Sequence, residues 1–578
     1  MDYFGILPQV NLFHMVKKNK KEIKIAYFSM EIAIKNHIKS YSGGLGVLAG
    51  DTLKAAADLN TPMLGVTLLN DRGYFKQVIN EKGEQKEEPD EYDYSKFKEM
   101  VGESFINIKE DKVKVHAWEY KVEGSSGHSI PIYFLDTDVE GNKEKYRKLT
   151  GKLYGGNEEY RLMQEIVLGR GGAKLLPILG HDNIEKYHLN EGHAALVGVE
   201  LFLKYKRESS AEEDKGKLIS KVRDKCVFTT HTPIKAGHDV FRMDTVKRLQ
   251  PDFPSEFLEI ITENRLNMSR LALYSSSYVN GVALSHQKIS TEMFPGREVS
   301  SITNGVHSRT WISPEFKKLF DEDIPNWRHC SMSLRNALNI SPDKIWRAHQ
   351  KAKEKLINHV EEEKSLKLSK DIFTIGFARR FTGYKRSTLL LHDMGKLLEI
   401  HDKVGKIQII YAGKAHPSDW GGKEMIKKIN ETARKYEDKI KIVFLEDYDM
   451  ELAKLLIPGV DIWLNTPLPP NEASGTSGMK AAHNGVPHFS TLDGWWLEGC
   501  VEGKTGWAIG EKHNATDPEE LIEKDAADLY DKLENKILPC YYQKPEIWRQ
   551  IMRQTIAINA SFFNSERMLR EYTQEAYL

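Results

Sequence analysis

Twice along this chain, short runs of consecutive apolar residues give way to a polar, often glycine-bearing loop and then to a helix-length stretch. That alternation constrains the fold more than any other feature. Strands apolar on both faces need cover on both sides, and the helices of βαβ crossovers supply it. The first series runs from Ile23-Lys-Ile-Ala-Tyr-Phe-Ser through Ser42-Gly-Gly-Leu-Gly and a helix-like Thr52 to Leu59. It continues into Pro62-Met-Leu-Gly-Val-Thr-Leu-Leu. A second series starts at Asp371-Ile-Phe-Thr-Ile-Gly-Phe-Ala and continues through Ile407-Gln-Ile-Ile-Tyr-Ala, Ile442-Val-Phe-Leu and Val460-Asp-Ile-Trp-Leu. The class is therefore α/β, with an interdomain connection within 310–370. The division predicted is 1–330, 331–545 and a helical 546–578 packing back across the domains. Lys82 to Lys96 reads as a charged excursion or surface hairpin. His116 to Tyr133 is strand-rich with a break at Gly124, and Glu158 to Leu179 is helical.

At 578 residues the chain can build several independent cores. Basic and acidic residues number 83 each, so the net charge is zero and the basic excess of nucleic-acid binders is missing. The run beginning at Lys17 reads as a solvated surface. Cys226, Cys330, Cys500 and Cys540 are too dispersed for a paired metal spacing and read as thiols of a reducing compartment. No stretch of about 18 apolar residues is present, and the N-terminus lacks the order of a signal peptide. A cytoplasmic protein without membrane or nucleic-acid partners is expected. His231, His238, His286 and His416 lack a compact metal spacing.

The chemistry-bearing residues cluster after the apolar runs, where open α/β sheets place ligands. Gly43-Gly-Leu-Gly46 allows close backbone approach and exposes helix-start amides, although a plain tight turn explains it too. Asp51 follows too soon for the ribose ligand of a dinucleotide fold, expected about 20 residues on. Arg379-Arg-Phe-Thr-Gly-Tyr-Lys-Arg386 sets four cations in eight residues. A helix entered near Thr382 puts Arg379 and Arg380 at its mouth and Lys385 and Arg386 about a turn later, around a phosphate. Tyr448, in Glu446-Asp-Tyr-Asp, can orient a phosphate or pack at a core edge. Glu472-Ala-Ser-Gly-Thr-Ser-Gly-Met-Lys480 combines a flexible turn with a lysine. That lysine is a phosphate ligand, an imine-forming amine or a structural group; spacing alone does not choose. Trp495 and Trp496 are either a sugar platform or core.

Taken in order, SGGLGVLAGD, HLNEGHAA, THTPIKAGHD, VNGVALSH, ITNGVHSRTW, ARRFTGYKR, YAGKAHP, FLEDYDM and EASGTSGMK resemble the α-glucan phosphorylases, especially their short microbial branch. The resemblance covers about residues 23–510. It implies a GT-B-like fold with two Rossmann-like domains facing a deep cleft, and pyridoxal 5′-phosphate covalently bound to Lys480. It further implies that Gly43 and Gly44 meet substrate phosphate and that Arg380 and Lys385 handle phosphate. Arg379, Tyr448 and Thr476 fall on the cofactor side; Asn304, Glu472, Ser474 and Gly475 fall at the sugar and phosphate turn. Arg379 replaces a lysine of the longer enzymes. Ser277 stands where the resemblance expects a glucose-contacting histidine, which makes the sugar contacts differ. The regulatory sites of longer relatives are not carried over.

The implied reaction is reversible phosphorolysis of terminal α-1,4-linked glucose from maltodextrin or glycogen. Inorganic phosphate is consumed and glucose 1-phosphate released with retained configuration, and a homodimer is implied. The competing readings are a nucleotide-sugar-dependent glucan synthase and a non-catalytic glucan-binding protein.

Overall fold

The computed structural model describes residues 22–91, 100–209, 214–234, 237–510 and 518–578. The basic run from Lys17 to Lys21 and the end of the Lys82–Lys96 excursion lie outside the described residues. The excursion's start is a hairpin, Lys76–Ile79 paired with Gln85–Glu88.

Nine strands form the first sheet. Their spatial order is Ser300–Ser301, Tyr278–Gly281, Cys226–Thr229, Lys186–Asn190, Ile25–Ser29, Met63–Leu68, Ser129–Asp136, Asp111–Glu123 and Met100–Ile108. The first seven are mutually parallel, Asp111–Glu123 runs antiparallel to them, and Met100–Ile108 is antiparallel to Asp111–Glu123 in turn. Burial follows direction. Ile25–Ser29 and Met63–Leu68 are buried throughout, whereas Asp111–Glu123 begins by alternating buried and more open positions, as an antiparallel strand with a solvated face should. Strand order reverses at Ile25–Ser29, so the crevice beside it opens between the loops after Ser29 and after Asn190.

The second sheet is wholly parallel, in the order Lys441–Leu445, Ile407–Ala412, Phe373–Ala378, Ile462–Asn465, His488–Thr491, Gly506–Ile509. Numbered along the chain this is 3-2-1-4-5-6, the doubly wound order. Its switch point lies between Phe373–Ala378 and Ile462–Asn465. Arg379 to Lys385 follows the first of those strands and the Glu472–Lys480 segment follows the second. The topology thus gathers two sequence-distant motifs at one crevice.

A shared apolar cluster joins the carboxyl ends of the two sheets. Ala33, Val47, Val306 and Trp311 of the first pack with Ala378, Met479 and Trp495 of the second. Polar bonds cross as well: Gln77 donates to the Gly413 carbonyl (2.9 Å), and Thr303 and the Leu284 amide donate to Glu498 (2.7 and 3.0 Å). The closing segment is divided: Pro545–Thr555 packs in the second core through Trp548 and Ile551, and Ser565–Tyr572 lies on the first sheet. Tyr572 and Tyr577 reach Thr229 and His188 with their hydroxyls (3.1 and 2.6 Å). Gly305 sits against the Asn564 backbone, where a Cβ would come within 2.2 Å of the carbonyl. Only glycine permits that crossing.

A buried ion cluster ties the 23-residue helix Pro342–Lys364 to the second sheet. Asp461 accepts from Lys353 (2.6 Å), the Thr374 amide (2.7 Å) and His349 (2.9 Å), and the three ionisable side chains are fully buried. Burial raises the Asp461 carboxyl, but Lys353 and His349 overcome this and hold it below its usual value. Asp461→Ala strands Lys353 without its counter-ion and should cost about 3–5 kcal/mol. Urea unfolding followed by tryptophan fluorescence measures this; a loss below about 1 kcal/mol would show the cluster to be dispensable.

Candidate active site

At the second sheet's switch point, Glu472 Oε2 accepts from Arg379 Nη2 and from Lys385 Nζ, each at 2.5 Å. Glu472 is 8% exposed and Lys385 5%. Burial opposes the Glu472 charge, but the two cations prevail and hold its carboxyl at about 2. Burial, and then Arg379, lower the Lys385 ammonium to about 7 despite Glu472. Arg379 keeps Nε and Nη1 unpaired and buried. One carboxylate thus stands against two cations, and the surplus positive charge is poised for an anion.

The turn carrying Glu472 is locked from behind. Its amide donates to Asp493 Oδ2 (2.8 Å), and the Trp495 amide donates to the buried Ser474 carbonyl (2.9 Å). Burial and the neighbouring Glu472 raise Asp493 to about 7. Gly475 has φ +77°, a left-handed conformation that side chains resist. Thr476 caps the short Ser477–Ala482 helix without a side-chain bond.

Lys480 projects from that helix, buried, with Nζ 3.8 Å from the centre of the Trp311 ring. Burial lowers its amine to about 8, with Lys54 also lowering it and Asp51 opposing. Asp51 Oδ2 accepts from Trp311 Nε1 (2.7 Å) and the His307 amide (3.2 Å), while Oδ1 is buried without a partner. Tyr448 packs on the same apolar cluster as Trp311 and Met479. Its hydroxyl is raised by burial and by Asp449, with Arg379 opposing.

Four expectations are sharpened or corrected. The Arg379–Arg386 segment does not enter a helix; it makes one 3₁₀ turn, Gly383–Lys385, and Arg386 takes φ +46°. Arg386 consequently turns away, pairing with Asp525 (2.7 Å) and donating to the Thr466 and Pro467 carbonyls. Arg380 is exposed at the mouth, near enough to Tyr74 and His416 to influence both electrostatically. Trp495 and Trp496 are 2% and 0% exposed, hence core and not a platform.

Ser277 requires the largest revision. It is exposed at the amino end of the Tyr278–Gly281 strand, its amide bonded to the Arg223 and Cys226 carbonyls. The crevice is at the carboxyl end, about 13 Å away for four residues of strand. Ser277 therefore makes no sugar contact. The histidine that reaches the crevice is His231, after Thr229, whose amide donates to Glu191 Oε2 (2.8 Å) and whose Nε2 meets Asn190 Oδ1 (2.7 Å). Burial lowers it to about 4, so it is neutral at pH 7. Sequence reasoning assigned it no role, and the THTP motif directly after an apolar strand is the signal that could have found it.

Gly43 and Gly44 open the 15-residue Gly44–Asp58 helix. A Cβ at either would meet nothing within 4 Å, whereas at Gly50 it would lie 1.9 Å from the Ala33 carbonyl. The first two therefore leave space over helix-start amides, and Gly50 is packing. Glu31 Oε2 accepts the Ser42 and Gly43 amides (2.7 and 3.1 Å). Asn304, 4% exposed, leaves Oδ1 without a partner while Arg567 holds its carbonyl (3.1 Å). No group of histidine, cysteine and carboxylate residues able to hold a metal occurs among the described residues.

Two α/β lobes, joined by a shared apolar cluster and carrying a cation-flanked carboxylate and a buried lysine, define a two-lobed protein of the α/β class. Comparison with known proteins narrows this. A family model described as carbohydrate phosphorylase matches residues 252–502. The maltodextrin phosphorylase of Thermococcus litoralis is 38% identical, over 96% of this chain and 71% of that protein. The glycogen phosphorylase of Aquifex aeolicus is 35% identical, over 96% and 86%, and that of Mycobacterium bovis 32%, over 96% and 70%. The chain belongs to the carbohydrate phosphorylase family.

Proposed function

We propose that the cleft catalyses reversible phosphorolysis of the terminal α-1,4-linked glucose of maltodextrin or glycogen, giving glucose 1-phosphate with retained configuration. The observation that carries this is Glu472 held between Arg379 and Lys385, with two guanidinium nitrogens unpaired. Arg379, Arg380 and Lys385 bind and orient phosphate; a dianion arriving beside Lys385 restores the charge that burial disfavours. Glu472 and the unpaired Asn304 amide oxygen orient sugar hydroxyls, and Ser474 and Gly475 shape the turn around them. Gly43 and Gly44 admit a phosphate oxygen to the helix-start amides. The substrate phosphate gives its proton to the departing glycosidic oxygen as one of its own oxygens bonds to C1. The interlobe cluster excludes water, which would otherwise compete as acceptor.

Pyridoxal 5′-phosphate fits the residues around Lys480: a buried amine with lowered affinity for its proton, a flat ring beside it in Trp311, and Tyr448 and Thr476 near the cation cluster. When bound it supplies a phosphate group able to share a proton with the substrate phosphate. Because Lys480 is held at about 8 rather than at the ordinary lysine value of about 10.4, its neutral amine becomes populated above pH 8. Cofactor-free protein should therefore take up pyridoxal phosphate at a rate that rises through pH 8 and then levels. Lys54→Gln, removing a repelling cation, should move that inflection upward, as absorbance-monitored uptake would reveal.

The sheet orders support a GT-B-like arrangement of two Rossmann-like domains, but the expected division at 330 moves to near Trp311, because Ile312 to Ala337 pack in the second core, and of 546–578 only the part from Met568 onward returns to the first. No described helix is long and apolar enough to cross a membrane, and all four cysteines are free, which suits a cytoplasmic enzyme. The decisive assay is phosphate-dependent release of glucose 1-phosphate from maltodextrin, with borohydride trapping of the cofactor on Lys480. Glucose transfer from a nucleotide sugar by cofactor-free protein would instead establish a synthase.

A further inference from the structure

A cavity of about 1420 Å³ opens between the Gly44–Asp58 helix, the Asp111–Glu123 strand and the segment from His307 to Lys317. None of Arg379, Lys385, Glu472 and Lys480 lines it. Its volume exceeds the roughly 300–1,000 Å³ of ordinary small-molecule sites. The charge of its wall is unbalanced. The carboxylates Asp58, Glu119, Glu315 and Glu451 each already pair with a cation of the same wall. Among the described residues, Lys35, Lys54 and Lys317 have no carboxylate within ion-pair distance, and the only remaining acid of the wall is Glu123.

Ammoniums gathered without counter-ions repel one another, the more so where water is scarce. Lys54 is lowered by burial and then by Lys454 and Lys35, with Asp51 and Glu451 opposing. Lys317 is lowered by burial and then by Arg328, Lys454 and Arg309, with Asp321 opposing. The three free ammoniums also come from different parts of the fold. Lys35 and Lys54 belong to the first lobe, Lys54 on the helix whose Leu53 packs with Ile25 and Phe134. Lys317 lies on Pro314–Asp323, whose Phe316 and Leu319 sit in the core of the second. The cavity is far larger than one orthophosphate, and its free ammoniums stand on walls from both lobes. A glucan is a poor match, since Tyr120 and His307 are the only aromatic rings in the wall among the described residues.

We propose that this interlobe cavity is a second anion site, taking a small molecule with two or more phosphate groups that bridges the lobes through Lys35, Lys54 and Lys317. His307 connects it to the catalytic side. Its ring lines the cavity, and its amide binds the Asp51 carboxylate that also holds Trp311 against Lys480.

Isothermal titration calorimetry of the full chain with sodium tripolyphosphate at low ionic strength tests the assignment. Saturable binding is expected, stronger than for orthophosphate and weakened at least about tenfold by the double change Lys35→Ala/Lys317→Ala, both partly or fully solvent-facing and tolerant of truncation. Lys385→Ala should leave this site's binding intact. Tripolyphosphate should also raise the unfolding temperature of the parent protein more than that of the double variant. No saturable binding at millimolar tripolyphosphate would overturn the proposal. So would binding that survives the double change but is lost in Lys385→Ala, since the ligand would then occupy the catalytic cleft. Equal affinity for orthophosphate would overturn the polyphosphate class.

Discussion

Lys480→Ala is expected to lose bound pyridoxal phosphate and to lower phosphorolysis by about a thousandfold or more, the scale of a group acting in the transition state. The same change should not weaken the fold. Lys480 is buried beside Trp311 with no carboxylate in ion-pair distance among the described residues, so its ammonium is a cost to the folded state, not a tie within it. Against wild-type protein freed of cofactor, the variant's thermal midpoint should hold or rise. Peptide mapping after borohydride reduction gives the chemical half of the test and calorimetry the other. A variant that keeps both cofactor and turnover would remove Lys480 from the mechanism.

Lys385→Ala should reduce kcat/KM by about 10²–10³-fold, roughly 3–4 kcal/mol, with phosphate as the varied substrate. Glu472 then keeps only Arg379, which is left with less charge to offer phosphate. The pH dependence separates this role from a structural one. With its amine at about 7, Lys385 loses its proton as pH rises through neutrality in the free enzyme, so phosphate capture weakens on the alkaline side. Bound dianion moves the titration upward. In Lys385→Ala the neutral-pH limb of the kcat/KM profile should vanish. A variant with unchanged limb and unchanged phosphate dependence would refute the assignment.

Much of this site was legible before any coordinates. The strand runs at Ile25–Ser29, Phe373–Ala378 and Ile407–Ala412 emerge where continuous apolar residues demanded them, and the motifs after them supplied Arg379, Lys385, Glu472 and Lys480. What escaped is equally specific. Asp51 reads as a residue misplaced for ribose, yet it holds Trp311 and His307 from a helix 250-odd residues earlier in the chain. Arg386 shares its cluster with Lys385 but is diverted to Asp525 by one left-handed residue. Ser277 is the plainest case. Its offset from the Asn-Gly-Val-Ala motif is fixed, but the offset carries no information on which end of the strand faces the crevice.

From its sequence alone, the chain declared an α/β protein with phosphate-directed chemistry at strand ends, because strand and helix periodicity and the cations after apolar runs are local properties. Strand order, the reversal that makes each crevice, and the partners of each charge were decided only in the tertiary structure. Parallel pairing joins strands separated by whole helices, and a buried charge is set by whatever the fold brings beside it. Glu472, between an arginine and a lysine 93 and 87 residues away in the chain, owes its lowered pKa to that meeting and not to its neighbours in the chain.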